Sequence, residues 1–566
     1  MSKKILSLTG KAWEIADETP SFENLNELIR VILKNRGIDD VEAFKKISLK
    51  NTMLDPFAFM DMEKAVNRIA AAITAGEKIA ILGDYDVDGV SSTVLLMNFF
   101  EYLKVPFAYS IPNRMEEGYG LSIDSLKRFK DYLVITVDCG SSSFDELQYA
   151  QDEKIDVVVI DHHKMESVPE AVAIVNPHRP DENVNFKDLC AAAMVFMCIV
   201  GINRKLRNNG FYKDNGLKEP DLFDYLDLVA LATICDVMPL VGINRAFVIN
   251  GVKTMCRRKN LGIDALISQN KTNDVTSDTI AFSFGPKINA AGRLASADLS
   301  VKLLSTKNPI EAKKIAQQLD DLNKERQSLE RKIIKEAIQQ IDEDANFICA
   351  YSNKWHVGIV GIVAGRLKET YHKPSLVIAI DENGQGRGSC RSIPQVDISV
   401  VINKAIQEGI LVSGGGHSMA AGFCIEENKI SAFIEFLRNE IKYEKSYEEL
   451  HADCYLNADM AISLDTIKQV SAIAPFGNGN KHPKFVIPNL IIARARIVGK
   501  NHVQLLLSDV NKGISLNAIS FRSDGTKLGD VLLNYKEPIQ VLGTLSVSEW
   551  NGKRSMCFIL EDVAEG

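Results

Sequence analysis

The chain has 566 residues, of which 46% are hydrophobic and 25% charged, a composition typical of folded globular proteins and not of disordered or membrane-spanning ones. Its length exceeds that of one ordinary core and predicts about three to five domains. With 66 Lys and Arg against 74 Asp and Glu the net charge is -8, which excludes a surface that is basic throughout and permits only a local basic groove.

The cysteines and the apolar runs indicate the compartment. The 10 cysteines are scattered singly, without a CxxC pair or a Cys/His cluster, which fits free thiols better than a disulfide framework or a zinc ribbon. No apolar run approaches the roughly 18 residues of a membrane span, and the start MSKKILSLTGKAWEI lacks a signal-peptide core. We therefore expect a cytoplasmic protein without a membrane segment.

Four apolar, β-branched segments in the first third of the chain end alike. KIAILGD, DYLVITVD, KIDVVVID and AVAIVNP stop at Asp84, Asp138, Asp161 and Asn176. Such runs are typical of strands buried on both faces of a parallel sheet, and the stretches between them have helical patterns, so the predicted fold class is α/β. Because ligands bind outside the carboxyl ends of such strands, the polar residues that follow each run should converge.

A long helix is predicted from Asn308 through Ile341. Asn308 is placed as its cap, Pro309 at its first position, and Glu311 for a capping box. Apolar residues recur every three to four positions without an interrupting Gly or Pro, which gives a helix of about 50 Å. A helix of this length can connect two α/β domains.

Strand and turn patterns follow this helix. NFICAYS and PSLVIAI are predicted strands, and the glycine-rich stretches 384–388 and 414–416 mark a second α/β unit. From about residue 450 short strands alternate with turns, and Asn551-Gly552 has the composition of a hairpin turn. The C-terminal region is therefore predicted to be a small β-barrel.

The sequence GDYDVDGVSST places Asp84, Asp86 and Asp88 on one loop between a predicted strand and a predicted helix. Carboxylates this close repel one another unless cations are present, and hard oxygen ligands favour Mg²⁺ or Mn²⁺. A calcium loop or a solvated acidic turn is the alternative. An EF-hand loop requires Glu at its twelfth position, where this chain has Leu95.

Three further segments carry candidate ligands. In Asp161-His162-His163, imidazole beside a carboxylate suits Mn²⁺ and the second ring can face a phosphate, although a structural helix start is the alternative. Asp138, in VITVDCGSSS, is either a ligand at the same sheet edge or the cap of the next helix. Asp236, in LVALATICDVMPL, follows an apolar stretch, so that either a metal or a salt bridge must compensate its burial.

Together these residues supply enough ligands for two divalent cations about 3.5–4 Å apart, the arrangement used in phosphoester hydrolysis. The set consists of Asp84, Asp86, Asp88, Asp138, His162, His163 and Asp236. A water between two such cations has a lowered pKa and can attack phosphorus in line, so no side-chain nucleophile is required.

These motifs resemble those of the DHH phosphoesterase superfamily and, within it, of the RecJ exonucleases, and the resemblance covers nearly the whole chain. GDYDVDG, VDCGSSS, DHH and ATICDVMPL stand in the order of the superfamily's catalytic motifs. The resemblance implies that His163 lies near the scissile phosphate and that the metal ligands are Asp84, Asp86, Asp88, Asp138, His162 and Asp236. Smaller members of the superfamily have a His where this chain has Leu82, which would make one metal site depend on Asp84.

Three segments resemble substrate-binding elements of the family. FGPKINAAGRL contains Lys287, Asn289 and Arg293; GRGSCRS contains Arg387, Ser389 and Arg391; SGGGHSMAAG contains Gly415, Gly416 and His417. Glycines expose backbone N–H groups to phosphate, and arginine adds a forked cation. Helix packing, a tight turn and a structural histidine are the alternatives for these segments.

The C-terminal region resembles the oligonucleotide-binding barrel of the family, which binds single strands through a basic track and stacking aromatic residues. The candidates are Arg494, Arg496, Lys500, Trp550 and Arg554. Bracing of the hairpin and simple solvation are the alternatives. The expected division is an N-terminal segment 1–55, a DHH catalytic domain 56–306, a connecting helix 307–344, a DHH-associated domain 345–446 and the barrel 447–566.

The resemblance implies a metal-dependent exonuclease that degrades single-stranded DNA from its 5′ end to 5′-mononucleotides, in repair and recombination. It also implies Mn²⁺ or Mg²⁺ as cofactor, and a RecQ-type helicase and a single-strand-binding protein as partners. One alternative is a DHH phosphodiesterase for short oligonucleotides or cyclic dinucleotides, which the long helix and the barrel disfavour. The other is a noncatalytic replication scaffold, which the intact acids and histidines disfavour.

Overall fold

The computed structural model describes residues 3–16, 25–113, 120–270, 274–443, 449–550 and 553–566, except for the side chains of 548–550 and 553–555. These residues form two compact units, one comprising 54–238 and 250–445 and the other 1–53, 239–249 and 446–566. Among the described residues, no helix combines the length and the apolarity needed to cross a bilayer.

A five-stranded parallel sheet forms the first half of the larger unit. Its strands, in spatial order, are Phe107–Ser110, Ile79–Gly83, Leu133–Val137, Val157–Ile160 and Ala173–Val175. Every residue of the three central strands is buried, as β-branched runs between two layers of helices require. The α/β prediction is confirmed, and all four predicted segments are strands of this one sheet.

Helices precede, connect and follow these strands, and Met62–Ala75, Val87–Leu103 and Ala191–Asn208 contact the sheet. The helices are Met62–Ala75, Val87–Leu103, Ile123–Arg128, Phe144–Asp152, Ala191–Asn208, Phe211–Asp214, Leu226–Cys235, Gly242–Met255, Leu261–Gln269, Ser277–Thr279, Gly285–Leu294 and Asp298–Ser305. One of them, Gly242–Met255, begins in the part of the chain that is assigned to the smaller unit. A π-helical turn, Ile280–Phe284, joins two of them into one continuous helical segment.

The long helix runs over Pro309–Ile338, 30 residues, slightly shorter than predicted. Asn308 caps it by accepting hydrogen bonds from the N–H groups of Ile310 and Glu311. The predicted capping box is wrong: the Glu311 carboxylate accepts from the Thr306 hydroxyl, and the Asn308 N–H donates to that same hydroxyl oxygen. In a capping box the Glu311 carboxylate would accept the Asn308 N–H. Here the Thr306 hydroxyl, two residues before the cap, accepts it instead.

The second α/β domain contains a five-stranded mixed sheet. Its strands, in spatial order, are Ser413–His417, Ala420–Glu426, Gln385–Arg391, Ser375–Ile380 and Ile348–Ser352, with helices Val357–Tyr371, Ile398–Gln407 and Ile430–Glu440. Both glycine-rich stretches lie largely within strands. At Gly388 a Cβ would lie 2.1 Å from the Phe423 ring, so glycine is required for the strands and helices to pack.

The smaller unit contains a closed five-stranded barrel, which confirms the predicted C-terminal architecture. Its strands are Lys484–Val498, His502–Asp509, Ser515–Ser520, Lys553–Glu565 and Ile539–Trp550, and the barrel closes because the first pairs with the last. Trp550 pairs with Lys553 across the hairpin, whose predicted turn Asn551-Gly552 lies outside the described residues. Cys454–Tyr455 extends this sheet.

A small sheet of Lys3–Leu6, Ala12–Ile15 and Glu449–Ala452 packs with the barrel in the same unit. Buried Trp13 donates its indole N–H to Asp562 of the barrel over 2.8 Å. The helices of this unit are Leu25–Asn35, Val41–Lys45, Leu49–Thr52, Ala458–Ala461, Leu464–Ser471 and Lys527–Asn534. The N-terminal segment is therefore part of the fold of the barrel unit.

Candidate metal centre and substrate-binding residues

The first acidic loop connects strand Ile79–Gly83 to helix Val87–Leu103. Asp84 directly follows the strand and is 3% exposed. Asp86 is the N-cap of the helix, and its Oδ1 accepts from the N–H groups of Asp88 and Gly89 over 2.8 and 3.2 Å. The strand end and the helix cap thus fix two carboxylates before any ligand binds.

Asp88 lies in the first turn of the same helix and is 1% exposed. Both its oxygens are held by the beginning of another helix: the Ala191 N–H donates to Oδ2 over 2.7 Å and the Ala192 N–H to Oδ1 over 2.8 Å. Burial raises the pKa of Asp88, whereas these amides and the positive end of the helix favour its charged form.

Asp138 directly follows strand Leu133–Val137 and is 2% exposed. Its backbone has φ +61°, a conformation that Asp adopts more readily than most residues and that ends the strand sharply. Burial, followed by the charges of Asp88, Asp86 and Asp84, raises the pKa of Asp138 well above its usual range. Asp138 does not cap the next helix, whose N-cap is Ser143.

Asp161 orients the two histidines that follow it. Its Oδ1 accepts from the N–H of His162 over 2.7 Å and from Nδ1 of His163 over 2.7 Å, while Oδ2 accepts from the Ser141 N–H. Burial opposes the charge of Asp161, but the bond from His163 lowers its pKa below the ordinary value. Burial likewise opposes protonation of His163, yet the carboxylate of Asp161 raises its pKa to about 9.

His162 is the centre of the cluster. Its Nε2 lies 3.3 Å from Oδ1 of Asp138, 3.5 Å from Oδ2 of Asp236 and 3.6 Å from Oδ2 of Asp88. The His163 ring centroid lies 4.7 Å from that of His162, and the His163 side chain is 42% exposed. His162 therefore lies among the carboxylates of the cluster, whereas His163 is bonded to Asp161 and remains partly open to solvent.

Asp236 ends helix Leu226–Cys235 as its C-cap. Its Oδ2 is buried and has no hydrogen-bond donor within the part of the chain that the structure describes. Burial, followed by the charges of Asp88 and Asp86, raises the pKa of Asp236 to about 8. No Arg or Lys salt bridge to Asp236 is found among the described ion pairs, so the salt-bridge alternative receives no support there.

The ligand atoms form three overlapping groups, each within 4.8 Å. The groups are Asp84, Asp86 and Asp138; Asp88, His162 and Asp236; and Asp138, His162 and His163. Carboxylate and imidazole donors that converge in this way, with a buried carboxylate oxygen lacking a donor, fit hard divalent cations such as Mn²⁺ or Mg²⁺. Asp138 belongs to two of the groups, so its carboxylate would be available to both if two cations were bound.

Leu82 lies in strand Ile79–Gly83 and packs into an apolar cluster with Leu121, Leu126 and Phe129. Its side chain belongs to the sheet core and offers no ligand. The acidic group of Asp84, Asp86 and Asp138 forms without it.

The predicted substrate helix Gly285–Leu294 carries residues with different surroundings. Asn289 Oδ1 accepts from the N–H of Val87, at the acidic loop, over 3.2 Å. Arg293 donates to the Gly358 carbonyl of the second α/β domain over 3.3 Å. Lys287 is 6% exposed and pairs with Asp320 of the long helix over 3.1 Å, so its contacts are those of helix packing.

The other predicted substrate residues lie in two rows across the second sheet. Ser389 pairs with Gly422, which pairs with Gly415, and Arg391 pairs with Ala420, which pairs with His417. Residues opposite each other in paired strands share a face of the sheet, so Gly422 and Gly415 place no side chains beside Ser389. We call this glycine row, together with the neighbouring Arg391 row, the trough. The Arg391 guanidinium donates to Ser389 Oγ over 3.1 Å.

Two more predicted residues border this trough. Arg387 is exposed on the same face of its strand, two positions before Ser389. Gly416 lies between the rows, and a Cβ there would approach the Ala420 carbonyl oxygen to 2.3 Å. The structure thus brings Arg387, Ser389, Arg391, Gly415, Gly416 and His417 together, while their contact with a substrate stays a prediction.

The barrel candidates are less distinctive. Arg496 is exposed and donates to Gln504 on the neighbouring strand over 2.8 and 2.6 Å. Arg494 and Lys500 lie in or directly after the same strand, Lys484–Val498. The side chains of Trp550 and Arg554 lie outside the described residues.

Sequence reasoning missed the groups that hold the ligands in place. Asp161 ends a predicted strand, but its role as the acceptor for both histidines depends on their folded positions. Asn176, also at a strand end, donates to Ser141 Oγ and to the His163 carbonyl and is fully buried. The amides of Ala191 and Ala192 leave no side-chain signal that could have indicated them.

Comparison with known proteins agrees with this arrangement. The family models that match describe a DHH family N-terminal domain at residues 78–233, a DHHA1 domain at 344–443 and a RecJ OB domain at 452–562. The acidic strand ends and the histidine pair lie within the first of these regions, and Asp236 lies three residues after its end. The fold and the site therefore define the chain as a DHH-type protein with a DHHA1 domain.

Relatives specify the family. The single-stranded-DNA-specific exonuclease RecJ of Haemophilus influenzae is 32% identical over 90% of this chain and 92% of the relative. RecJ of Salmonella typhimurium is 30% identical over 97% of this chain and 98% of the relative. The chain belongs to the RecJ family.

Solved structures share the architecture. RecJ from Thermus thermophilus in complex with Mn²⁺ has a TM-score of 0.80 at 24% identity, covering 98% of this chain and 79% of that one. An exonuclease RecJ bound to manganese has a TM-score of 0.59 at 30% identity, covering 67% of this chain and 94% of that one. The T. thermophilus protein has also been solved with Mg²⁺.

Proposed function

We propose that this protein is a single-stranded-DNA-specific exonuclease that releases 5′-mononucleotides from the 5′ end by metal-dependent phosphodiester hydrolysis. The observation that carries the proposal is the convergence of Asp138, Asp236 and His162 with the first acidic loop at one edge of the parallel sheet. Membership of a family of single-stranded-DNA-specific exonucleases supports the substrate class.

The chain's own residues divide the work of the site. The cations would be held by Asp84, Asp86, Asp88, Asp138, His162 and Asp236. Asp161 fixes the orientation of both histidines. When bound, a pair of divalent cations lowers the pKa of the attacking water and neutralises charge on the scissile phosphate. His163, partly exposed and oriented by its bond to Asp161, is the imidazole placed to face that phosphate.

The strand is held by the polypeptide on both sides of the metal centre. Asn289 contacts the acidic loop, and Arg293 contacts the second α/β domain. The trough beside Ser389 and Arg391 offers glycine backbone and a guanidinium to the sugar-phosphate backbone. Contacts of this kind do not depend on base sequence. Selectivity for single strands should follow from a passage between the two α/β domains that is too narrow for a duplex.

One assay tests the proposal. Purified protein with Mn²⁺ or Mg²⁺ is given single-stranded DNA labelled at either end, a duplex of the same sequence, and a dinucleotide. We expect 5′-labelled DNA to release labelled mononucleotide at once, 3′-labelled DNA to shorten progressively, and Asp138→Ala to remove both activities. Preference for the duplex, for the 3′ end or for the dinucleotide would contradict the proposal, and cation-independent binding without hydrolysis would favour a scaffold.

The cellular setting follows from the same proposal. We place the protein in the cytoplasm, in DNA repair and recombination, with a RecQ-type helicase supplying unpaired ends and a single-strand-binding protein covering them. We also keep the division at 1–55, 56–306, 307–344, 345–446 and 447–566 as the functional domain arrangement. Co-purification of the full chain with each partner, with and without single-stranded DNA, tests this assignment.

A further inference from the structure

Asp236 differs from Asp86 and Asp88 in how its side chain is held. Asp86 and Asp88 each accept two backbone N–H groups, which fix their carboxylates. Oδ2 of Asp236 has no hydrogen-bond donor among the described residues, although it lies 3.5 Å from Nε2 of His162. The direction of the Asp236 carboxylate therefore depends on how the backbone is held on either side of it.

The backbone before Asp236 is held by helix Leu226–Cys235, which ends in a Schellman motif. The N–H of Met238 donates to the Thr233 carbonyl over 3.0 Å, and Val237, which directly follows Asp236, has φ +58°. Glycine is the usual residue in this left-handed conformation, and a β-branched residue rarely adopts it. The conformation next to Asp236 therefore costs free energy and persists only if the surrounding chain is held firmly.

The chain that follows enters the barrel unit, which includes 239–249. The Leu240 N–H donates to the Asn478 carbonyl of that unit over 2.7 Å. A Cβ at Gly479 would lie 3.1 Å from Cβ of Pro239, so this glycine allows the turn around Asn478 to pack directly on the chain. A turn of the barrel unit thus holds the backbone within a few residues of the candidate metal ligand.

That turn, 477–480, is braced by further hydrogen bonds. The N–H and carbonyl of Gly477 exchange hydrogen bonds with the carbonyl and N–H of Asn480 over 2.9 and 3.2 Å. Asn480 is 1% exposed, and its side chain donates to the Ile473 carbonyl over 2.9 Å and accepts from Arg36 over 2.7 Å. A turn with these bonds is a firm support for the residues that contact it.

Arg245 attaches the next helix to the same loop. It lies in the first two turns of helix Gly242–Met255 and is 1% exposed. Its Nη2 donates to the Ala474 carbonyl over 2.7 Å, and its guanidinium lies 4.0 Å from the ring centroid of Phe44. Burying a guanidinium is costly, and a carbonyl acceptor and an aromatic face offset that cost. One loop of the barrel unit thus holds the chain both before and after the start of this helix.

We propose that loop 474–480 and Arg245 of the barrel unit are positioning elements for the candidate metal ligand Asp236. By holding the chain that follows Val237, they maintain its left-handed conformation and with it the direction of the Asp236 carboxylate. The inference rests on the proposed function and deepens it, because it gives the barrel unit a part in metal binding that is separate from any contact with the strand. These groups act through Asp236 and take no part in the hydrolytic step.

Two substitutions loosen this support. Arg245→Met keeps most of the side-chain volume and removes the donor to the Ala474 carbonyl. Leu240→Ala removes a side chain that is 2% exposed and packs on the turn, since a Cβ at Gly477 would lie 2.8 Å from Cδ1 of Leu240. Arg245→Lys retains one donor and should restore part of the effect of Arg245→Met.

The barrel core supplies the matched control. Leu516, in strand Ser515–Ser520, is fully buried in that core. Leu516→Ala is the same truncation in the same unit and should destabilise the protein to a similar extent as Leu240→Ala. The hydrogen bonds of Leu240 and Arg245 to loop 474–480 remain in this variant.

The test measures three quantities on the full-length protein: Mn²⁺ binding by calorimetric titration, the rate of oligo(dT) hydrolysis against Mn²⁺ concentration, and thermal unfolding in EDTA. We expect Arg245→Met and Leu240→Ala to weaken binding of one Mn²⁺ ion roughly tenfold and to raise the Mn²⁺ concentration for half-maximal rate by the same factor. At saturating Mn²⁺ their rate should approach that of wild type, and KM for oligo(dT) should not change. Leu516→Ala should unfold at a lowered temperature and keep wild-type Mn²⁺ affinity.

Each result bears on a different claim. Wild-type Mn²⁺ affinity in both Arg245→Met and Leu240→Ala would overturn the positioning role, and so would an equal loss in Leu516→Ala, which would indicate general destabilisation. If Arg245→Met does not fold, the comparison of the two leucine variants decides alone. A wild type that binds Mn²⁺ but does not degrade oligo(dT) would contradict the proposed function, while the calorimetric comparison still decides the role of loop 474–480.

Discussion

Asp138 combines three features that each cost free energy. Its side chain is buried, its backbone lies at φ +61°, and the charges of Asp88, Asp86, Asp84 and Asp161 all oppose its own. A structural role alone would not favour such a position, since residues that strain a fold cluster where function requires them. Bound cations would turn this repulsion into attraction.

Asp138→Asn tests this balance at a single residue. Removing the charge relieves the repulsion, so we expect the cation-free variant to be more stable than wild type by about 1–2 kcal/mol, measured by thermal unfolding in EDTA. Losing a carboxylate that two of the candidate ligand groups share should lower hydrolysis of single-stranded DNA at least roughly 100-fold. Asp214→Asn, at an exposed position, should change neither quantity, and an active or destabilised Asp138→Asn would contradict the account.

A second buried acid, Asp227, lies outside the metal centre. It is 3% exposed, and its Oδ1 accepts only the N–H of Leu228 among the described bonds. Burial is the main cause that raises the pKa of Asp227 from 3.8 to about 7. Between pH 3.8 and about pH 7, Asp227 is protonated in the native protein and ionised in the unfolded chain. The free energy of unfolding therefore falls as the pH rises through this range.

Asp227→Asn should remove that dependence. The amide keeps the acceptor for Leu228 and carries no charge, so we expect the variant to exceed wild type by up to about 4 kcal/mol at pH 8. The difference should shrink to about 0.6 kcal/mol near pH 4, where Asp227 is protonated in the native protein and half-protonated in the unfolded chain. Denaturant unfolding at pH 4, 6 and 8 measures it, and a pH-independent difference would refute the assigned cause.

At the scale of elements, helix Ala191–Asn208 supports the metal centre through its backbone. The first two N–H groups of the helix hold both oxygens of Asp88, which points the carboxylate toward His162. A helix start with free N–H groups and a positive dipole end is suited to this task. Groups of this kind orient ligands and strongly affect metal affinity.

Ala191→Pro isolates one of these two hydrogen bonds. Proline is well tolerated at the first position of a helix, and Cys190 before it has φ -73° and ψ 165°, which proline accepts. The substitution deletes the N–H that donates to Asp88 Oδ2, and we expect Mn²⁺ affinity to fall roughly tenfold with the fold intact. Calorimetric titration and circular dichroism check both expectations.

Leu261→Pro provides the matched control for that variant. It changes the first position of helix Leu261–Gln269, and the preceding residue Asn260 has ψ 112°, which proline accepts. This helix contains none of the candidate metal ligands. Its Mn²⁺ affinity should equal that of wild type. Equal affinity in Ala191→Pro as well would show that Asp88 does not need the amide.

The same elements show how far sequence reasoning reaches. The strands that end at Asp84, Asp138, Asp161 and Asn176 were predictable because runs buried on both faces of a sheet are apolar throughout. Their common edge predicted where the candidate ligands converge. The amides of Ala191 and Ala192 were not, because backbone groups carry no residue-specific signal. The capping box failed because the Thr306 hydroxyl competes for Glu311.

At the scale of the whole molecule, a net charge of -8 coexists with a proposed nucleic-acid substrate. The acids are concentrated where cations would bind, while Arg293, Arg387 and Arg391 lie along the proposed path of the backbone. Binding of the strand therefore depends on these arginine side chains and not on the net charge of the whole protein. Each contact between an arginine and a phosphate releases counterions from the DNA.

Salt dependence measures that local charge. With about four phosphates neutralised, the affinity for oligo(dT) should fall roughly 50-fold between 50 and 200 mM salt. Arg391→Ala should flatten the slope of log affinity against log salt by about one contact, roughly 0.7. Fluorescence anisotropy over the salt series tests this, and an affinity that does not respond to salt would exclude the proposed backbone path.

The most direct test of the central claim is a calorimetric titration of Mn²⁺ into the full-length, cation-free protein. The account predicts uptake of two ions per chain by wild type and loss of at least one in Asp138→Asn, together with a rise in unfolding temperature on binding that only wild type shows in full. No uptake by wild type, or two ions bound equally well by the variant, would contradict a metal centre built on these acids and imidazoles.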